Sequence, residues 1–188
     1  MTSSADYKDL ESKYYMQVVN RMPPVLVRGE GTRVFDNDGK SYLDFTAGWA
    51  VLNLGHSHPA VTEAIRDQAG KILQMSNLFY TTPQLPLAQI IVDNSDIDRV
   101  FFCNSGAEAN ECALKLARKC TDREGVVTFE GSFHGRTLGA LSDTGNTRYH
   151  KNVRPLVPGH RYLPFDDLSA LEGIDETTAL VLVEPIQS

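Results

Sequence analysis

The chain has 188 residues, 41% hydrophobic and 22% charged, enough apolar material to bury a core and a length for one domain or one and a half. Its net charge of −6 argues against nucleic acid as the main partner, and no apolar run is long enough to span a membrane. The N-terminus is polar and acidic, neither a signal peptide nor an Arg-rich transit sequence, which predicts a cytoplasmic protein whose three cysteines (Cys103, Cys112 and Cys120) are reduced, buried thiols.

Residues 1–15 form a leader ending in Tyr14-Tyr15, and Pro23-Pro24 stops any helix. Val25 to Val27 and Arg33 to Phe35 alternate around Gly29-Glu30-Gly31, as in a hairpin. Asp36-Asn37-Asp38-Gly39 reads as a turn, since the acidic ligand that would close a calcium loop is missing. Ser41 to Phe45 returns as a strand. Ala47 to Gly55 is rich in small residues and suits close packing. In His56-Ser57-His58-Pro59 the two histidines lack a third metal ligand, so the structural reading is preferred, with Pro59 in the first turn of a helix. That helix carries Val61, Ile65, Ala69, Ile72 and Met75 on one face. A polar-aromatic loop around Phe79 and Tyr80 follows, then a short helix over Leu85 to Val92.

Val100 to Cys103 reads as a short buried strand, and from Ala107 to Cys120 the period becomes helical, with Ala109, Ala113, Leu116 and Cys120 on one stripe. Ser105 is the natural N-cap, leaving N–H groups at Gly106, Ala107 and Glu108 free to meet an oxyanion at the positive end of the helix. Ser105-Gly106-Ala107-Glu108 is equally a capping box, which needs no ligand. Val126 to Phe129 is a second strand, followed by the loop Glu130 to Thr137, and Leu180 to Val183 is a third, ending in Glu184-Pro185-Ile186-Gln187. Strand, helix, strand, long connection and strand make an α/β chain with a mostly parallel sheet, whose ligands lie beyond the carboxyl ends of the strands. The Ser105 turn, the Phe133 loop and Glu184 all fall at such ends.

The string Asn104 to Glu111 resembles the phosphate cup of class III, pyridoxal-phosphate-dependent aminotransferases. Arg28 to Gly31 with Asp36 to Gly39, Tyr42 to Phe45, Leu54 to Pro59, Ser76 to Tyr80, Phe133 to Thr137 and Glu184 to Gln187 agree in the family's order. Within the family the likeness is to acetylornithine aminotransferases, with ornithine, succinylornithine and 4-aminobutyrate aminotransferases as near relatives. The resemblance implies the pyridoxal-phosphate-dependent transferase fold type I: α/β, a mostly parallel sheet with flanking helices, truncated. Residues 1–57 would be an N-terminal segment of the small domain, and 58–188 the first part of the large cofactor-binding domain.

It further implies that Ser105, Gly106 and Ala107 hold the cofactor phosphate, that Phe133 stacks on the pyridine ring, and that Arg136 clamps the substrate carboxylate. Glu184 would stand near the cofactor as a supporting acid. The amino donor would be N-acetylornithine and the acceptor 2-oxoglutarate, in arginine biosynthesis, with a homodimer as the assembly. The lysine that forms a Schiff base with the cofactor lies beyond Ser188 in the family, so no catalytic residue is expected within this stretch, and this stretch alone is expected to be inactive. The competing reading is a non-catalytic binding or assembly module.

Overall fold

The computed structural model describes residues 3–187, which fall into two compact units divided between Thr81 and Thr82. In the first unit the leader is a helix, α1 (Ser4–Tyr14), started by a capping box between Ser3 and Asp6. Strands β1 (Leu26–Glu30), β2 (Arg33–Asp36) and β3 (Ser41–Leu43) form an antiparallel sheet in that order. The hairpin turns at Gly31, and Glu30 faces Arg33 across it. The acidic turn is self-contained. Asp36 accepts the N–H groups of Asp38 and Lys40 and the Tyr42 hydroxyl, and these bonds, that of Tyr42 foremost, hold its carboxyl below the usual range.

The small-residue segment contains a short helical turn, α2 (Ala47–Ala50), whose residues have positive φ. Asp44 anchors its start by accepting the Thr46 hydroxyl and the N–H groups of Thr46 and Ala47, and it meets His56 Nε2 at 2.7 Å. His56 lies against Gly29 so closely that a Cβ there would come within 2.5 Å of its ring. Helix α3 (Pro59–Ala69) has proline in its first turn, and its expected apolar stripe is exposed at Val61 and Ile65.

The second unit begins with α4 (Gln84–Asp93) and α5 (Gly106–Thr121). Strands β4 (Gly125–Phe129), β5 (His160–Leu163) and β6 (Thr178–Val181) form an all-parallel sheet in the order β5-β4-β6, and the short helix α6 (Leu138–Asp143) follows β4. Val126 and Val127 at its centre are fully buried.

Three sequence readings are corrected here. Val100 to Cys103 is not a buried strand: Phe101 is 66% exposed and Phe102 41%, and among the described residues no strand offers them a ladder. The inward stripe of α5 is not Ala109, Ala113, Leu116 and Cys120. Leu114 is its buried residue while Leu116 is exposed, because the helix turns Ala107, Asn110 and Leu114 toward its neighbours. Cys103 and Cys120 are exposed rather than buried, and all three thiols are free.

Much of the interior beside α6 is polar. Thr128, Ser132, Ser142, Asp143 and Thr144 have no exposed surface, yet most are hydrogen-bonded. The exception is Asp143 with His160. Their Oδ1 and Nδ1 atoms are 2.9 Å apart with both side chains buried, but the contact is misaligned, so neither the carboxylate nor the ring makes a hydrogen bond.

Candidate functional site

Helix α5 has a start suited to an anion. Ser105 is extended (φ −154°), and its Oγ accepts the Glu108 N–H at 3.2 Å, leaving its own O–H to donate. The second half of a capping box is displaced by one residue, because the Glu108 carboxylate accepts the N–H of Asn104 rather than that of Ser105. The N–H groups of Gly106 and Ala107 find no acceptor among the described residues. A Cβ at Gly106 would meet nothing within 4 Å, so the backbone there is open to close approach. Free donors, an open backbone and the dipole of a 16-residue helix therefore coincide.

The loop after β4 lies against this helix start. Gly135 has φ +135°, and a Cβ on it would come within 2.8 Å of the Ala107 Cβ and 2.9 Å of the Ala140 Cβ, so a glycine allows loop and cup to meet. The loop is held at nearly every residue. Ser132 Oγ accepts the Gly145 N–H, and Glu184 Oε2 accepts the Phe133 N–H at 3.0 Å. The His134 N–H donates to Thr144 Oγ1 at 2.9 Å, and its carbonyl accepts from Asn110 Nδ2 at 2.6 Å. The His134 ring sits 3.1 Å from Thr128 Oγ1 inside the polar core. Burial pushes its pKa down, against an opposing pull from Glu184 and Asp143.

Two side chains of this loop are not absorbed by its own bonding. Phe133 is 39% exposed and touches Tyr149 edge-on, ring centroids 5.4 Å apart, which leaves ring surface available for stacking. The Arg136 guanidinium lies 5.8 Å from the Phe133 ring and makes no hydrogen bond or ion pair among the described residues. An exposed guanidinium and an exposed aromatic ring therefore stand on the loop that packs against the start of α5 at Ala107.

The structure thus packs the loop that carries Phe133 and Arg136 against the start of α5 at Ala107, next to Ser105 and Gly106 in the chain, with Glu184 joined to the loop through the Phe133 N–H. Glu184 follows β6 and Phe133 follows β4, both beyond the carboxyl ends of parallel strands. The residues that hold the loop (Asn110, Glu111, Thr128 and Thr144) were not singled out in the sequence. Their one signal was polarity at Asn110 and Glu111 on a helix face otherwise made of Ala107 and Leu114. Among the described residues no group of three or more His, Cys, Asp or Glu side chains is placed to hold a metal, and no helix is long and apolar enough to cross a membrane.

A family model for class-III aminotransferases matches residues 14–188. The chain is 49% identical to an acetylornithine aminotransferase of Methanocaldococcus jannaschii, over 98% of this chain and 48% of that protein. It is 50% identical to one of Caldanaerobacter subterraneus, over 94% of this chain and 47% of that protein. Among solved structures, an ornithine aminotransferase of Toxoplasma gondii aligns over all of this chain and 46% of its own, with a TM-score of 0.94 and 33% identity. An acetylornithine aminotransferase of Elizabethkingia anophelis aligns over all of this chain and 46% of its own, at 0.81 and 32%. The chain spans about half the length of the curated relatives it matches.

Proposed function

The chain belongs to the class-III aminotransferases, a pyridoxal-phosphate-dependent family, and from that premise we propose that its naturally expressed polypeptide transfers the amino group of N-acetylornithine to 2-oxoglutarate, in arginine biosynthesis. The observation that carries the reading is the packing of the loop with the open ring of Phe133 and the unpaired guanidinium of Arg136 against a helix start whose Gly106 and Ala107 N–H groups are unpaired. The choice of amino donor is supported by the relatives named acetylornithine aminotransferase at 47–50% identity.

In this reading Ser105, Gly106 and Ala107 bind the cofactor phosphate through one hydroxyl and two amide donors. Phe133 packs on the pyridine ring and keeps it flat. Arg136 grips a substrate carboxylate through two parallel N–H donors, so that the amino carbon is held in one orientation. Glu184 acts on the cofactor indirectly, by accepting the Phe133 N–H and setting the height of that ring. When bound, pyridoxal phosphate supplies the electron sink that lets an amino group leave one carbon skeleton for another. Residues 1–57 then belong to the small domain and 58–188 to the large one, in a cytoplasmic homodimer.

The test is an assay of the naturally expressed polypeptide with N-acetylornithine, ornithine and 4-aminobutyrate, each against 2-oxoglutarate. The proposal expects the highest kcat/KM with N-acetylornithine. A preference for either other donor would reassign the substrate, and no turnover of any of them would favour the non-catalytic module.

A further inference from the structure

Helix α6 starts immediately after Arg136, and its own N-cap does no capping. Thr137 is the residue at that position, but its side chain makes no bond to the first turn of α6. The missing acceptor comes from another helix. Glu111 Oε1, on α5, accepts the Thr137 hydroxyl at 2.6 Å, the Gly139 N–H at 3.1 Å and the Ala140 N–H at 3.3 Å. One carboxylate oxygen therefore gathers the N-cap hydroxyl and two of the orphan amides of α6, where negative charge is favoured by the helix dipole. The residue before it, Asn110, takes the His134 carbonyl on the other side of Arg136.

We infer that Glu111 is a positioning residue: it staples the N-terminus of α6 to the cup helix α5 and so fixes Arg136 relative to the phosphate cup. Residues 110 and 111 sit about one turn along α5 from Gly106 and Ala107. The spacing from phosphate to carboxylate is then set by one rigid helix, with the loop anchored two residues before Arg136 and one after it. This explains why an apolar-facing stripe of α5 carries two polar residues in succession. The part of the inference that concerns carboxylate binding rests on the role proposed for Arg136, whereas the staple itself does not.

The experiment uses the naturally expressed polypeptide with its cofactor and four variants: Glu111→Ala, Glu111→Gln, Thr137→Val and Arg136→Lys. Three quantities are measured: the dissociation constant of glutarate, a non-reacting five-carbon diacid; the dissociation constant of pyridoxal phosphate; and amide hydrogen exchange at Gly139 and Ala140. Glu111→Ala is expected to weaken glutarate by roughly tenfold to a hundredfold, the usual penalty for a misplaced binding group. It should speed exchange at Gly139 and Ala140 while leaving cofactor affinity within about twofold. Glu111→Gln keeps an acceptor oxygen and should restore most of the glutarate affinity. Unchanged glutarate binding in Glu111→Ala, with binding weakened in Arg136→Lys, would overturn the inference. If Arg136→Lys itself leaves glutarate unaffected, the carboxylate clamp falls and exchange alone decides the staple: unaltered rates at Gly139 and Ala140 would overturn it. Should Glu111→Ala fail to fold, Thr137→Val, which removes one donor without touching α5, is read in the same way, and exchange equal to that of the parent protein would overturn the staple.

Discussion

Asp143 and His160 present a sharp energetic question, because two buried polar side chains meet at 2.9 Å without an aligned hydrogen bond. Asp143 ends α6 and His160 opens β5, so the pair ties the element after the Phe133 loop to the edge of the sheet. Replacing His160 with Phe leaves a carboxylate alone in the interior and should cost about 3–5 kcal/mol. Replacing Asp143 with Ala takes away the carboxylate 2.9 Å from the buried His160 ring, its one polar neighbour in that contact, and should cost about 1–3 kcal/mol. Replacing both removes each group's reason to need the other, and the double variant should lie within about 1 kcal/mol of the parent protein. The cycle thus predicts a coupling of roughly 3 kcal/mol or more between residues at the two ends of one contact. The assay is urea unfolding of all four proteins at one fixed pH, with melting temperatures as a second measure. At about 2–4 °C per kcal/mol, His160→Phe alone should lower Tm by roughly 6–20 °C. If the double variant instead loses the sum of the two single losses within about 0.5 kcal/mol, the two side chains act independently and the reasoning is wrong.

Other perturbations follow from the loop. Gly135→Ala forces a Cβ to within 2.8 Å of Ala107 and 2.9 Å of Ala140 at a backbone angle that favours glycine, so it should cost about 1–3 kcal/mol and weaken cofactor retention; unchanged thermal stability and cofactor titration would contradict the close approach. Phe133→Leu keeps bulk but removes the aromatic face, which should raise the pyridoxal phosphate dissociation constant by about two- to twelvefold in a spectroscopic titration. His134 carries a pH signature. Burial lowers its folded pKa below the ordinary value of about 6.5, so below that pH the unfolded state binds more protons and stability falls on acidification. Between pH 7.5 and 5.5 the parent protein should lose stability through this residue, and His134→Gln should flatten that slope in chemical unfolding; an unchanged slope would assign the effect to other groups.

How far the sequence could be read varies along the chain for identifiable reasons. The hairpin around Gly31, the proline-started α3, α4, the Ser105 cap and the strand at Val126 were all legible, because each depends on neighbours within a few residues: turn glycines, a cap hydroxyl, a β-branched run. The strand expected at Val100 to Cys103 failed because an apolar run becomes a strand only where another strand supplies its hydrogen bonds, and composition carries no information about that partner. The buried face of α5 departs from its apolar pattern for a related reason. Apolar spacing points to the Ala109 stripe, whereas the helix turns inward a face holding Asn110 and Glu111, polar residues whose burial becomes favourable only when the His134 carbonyl and the first turn of α6 are there to bond them.

By itself, then, the sequence determined the class of chain, its local elements and the identity of the side chains that could meet an anion, an aromatic ring and a carboxylate. Ser105, Phe133, Arg136 and Glu184 were nameable from local pattern and family likeness, since the chemistry of a phosphate cup or a guanidinium fork resides in the residue type. Only the tertiary structure decided how the elements that carry those groups meet. The Glu184 bond to Phe133, the Gly135 approach to Ala107, the Glu111 staple on α6 and the buried Asp143–His160 contact join residues 17 to 51 positions apart in the chain. Hydrogen bonds and steric contacts fall off within a few ångströms, so such pairings exist only once the sheet and α5 have brought their backbones together.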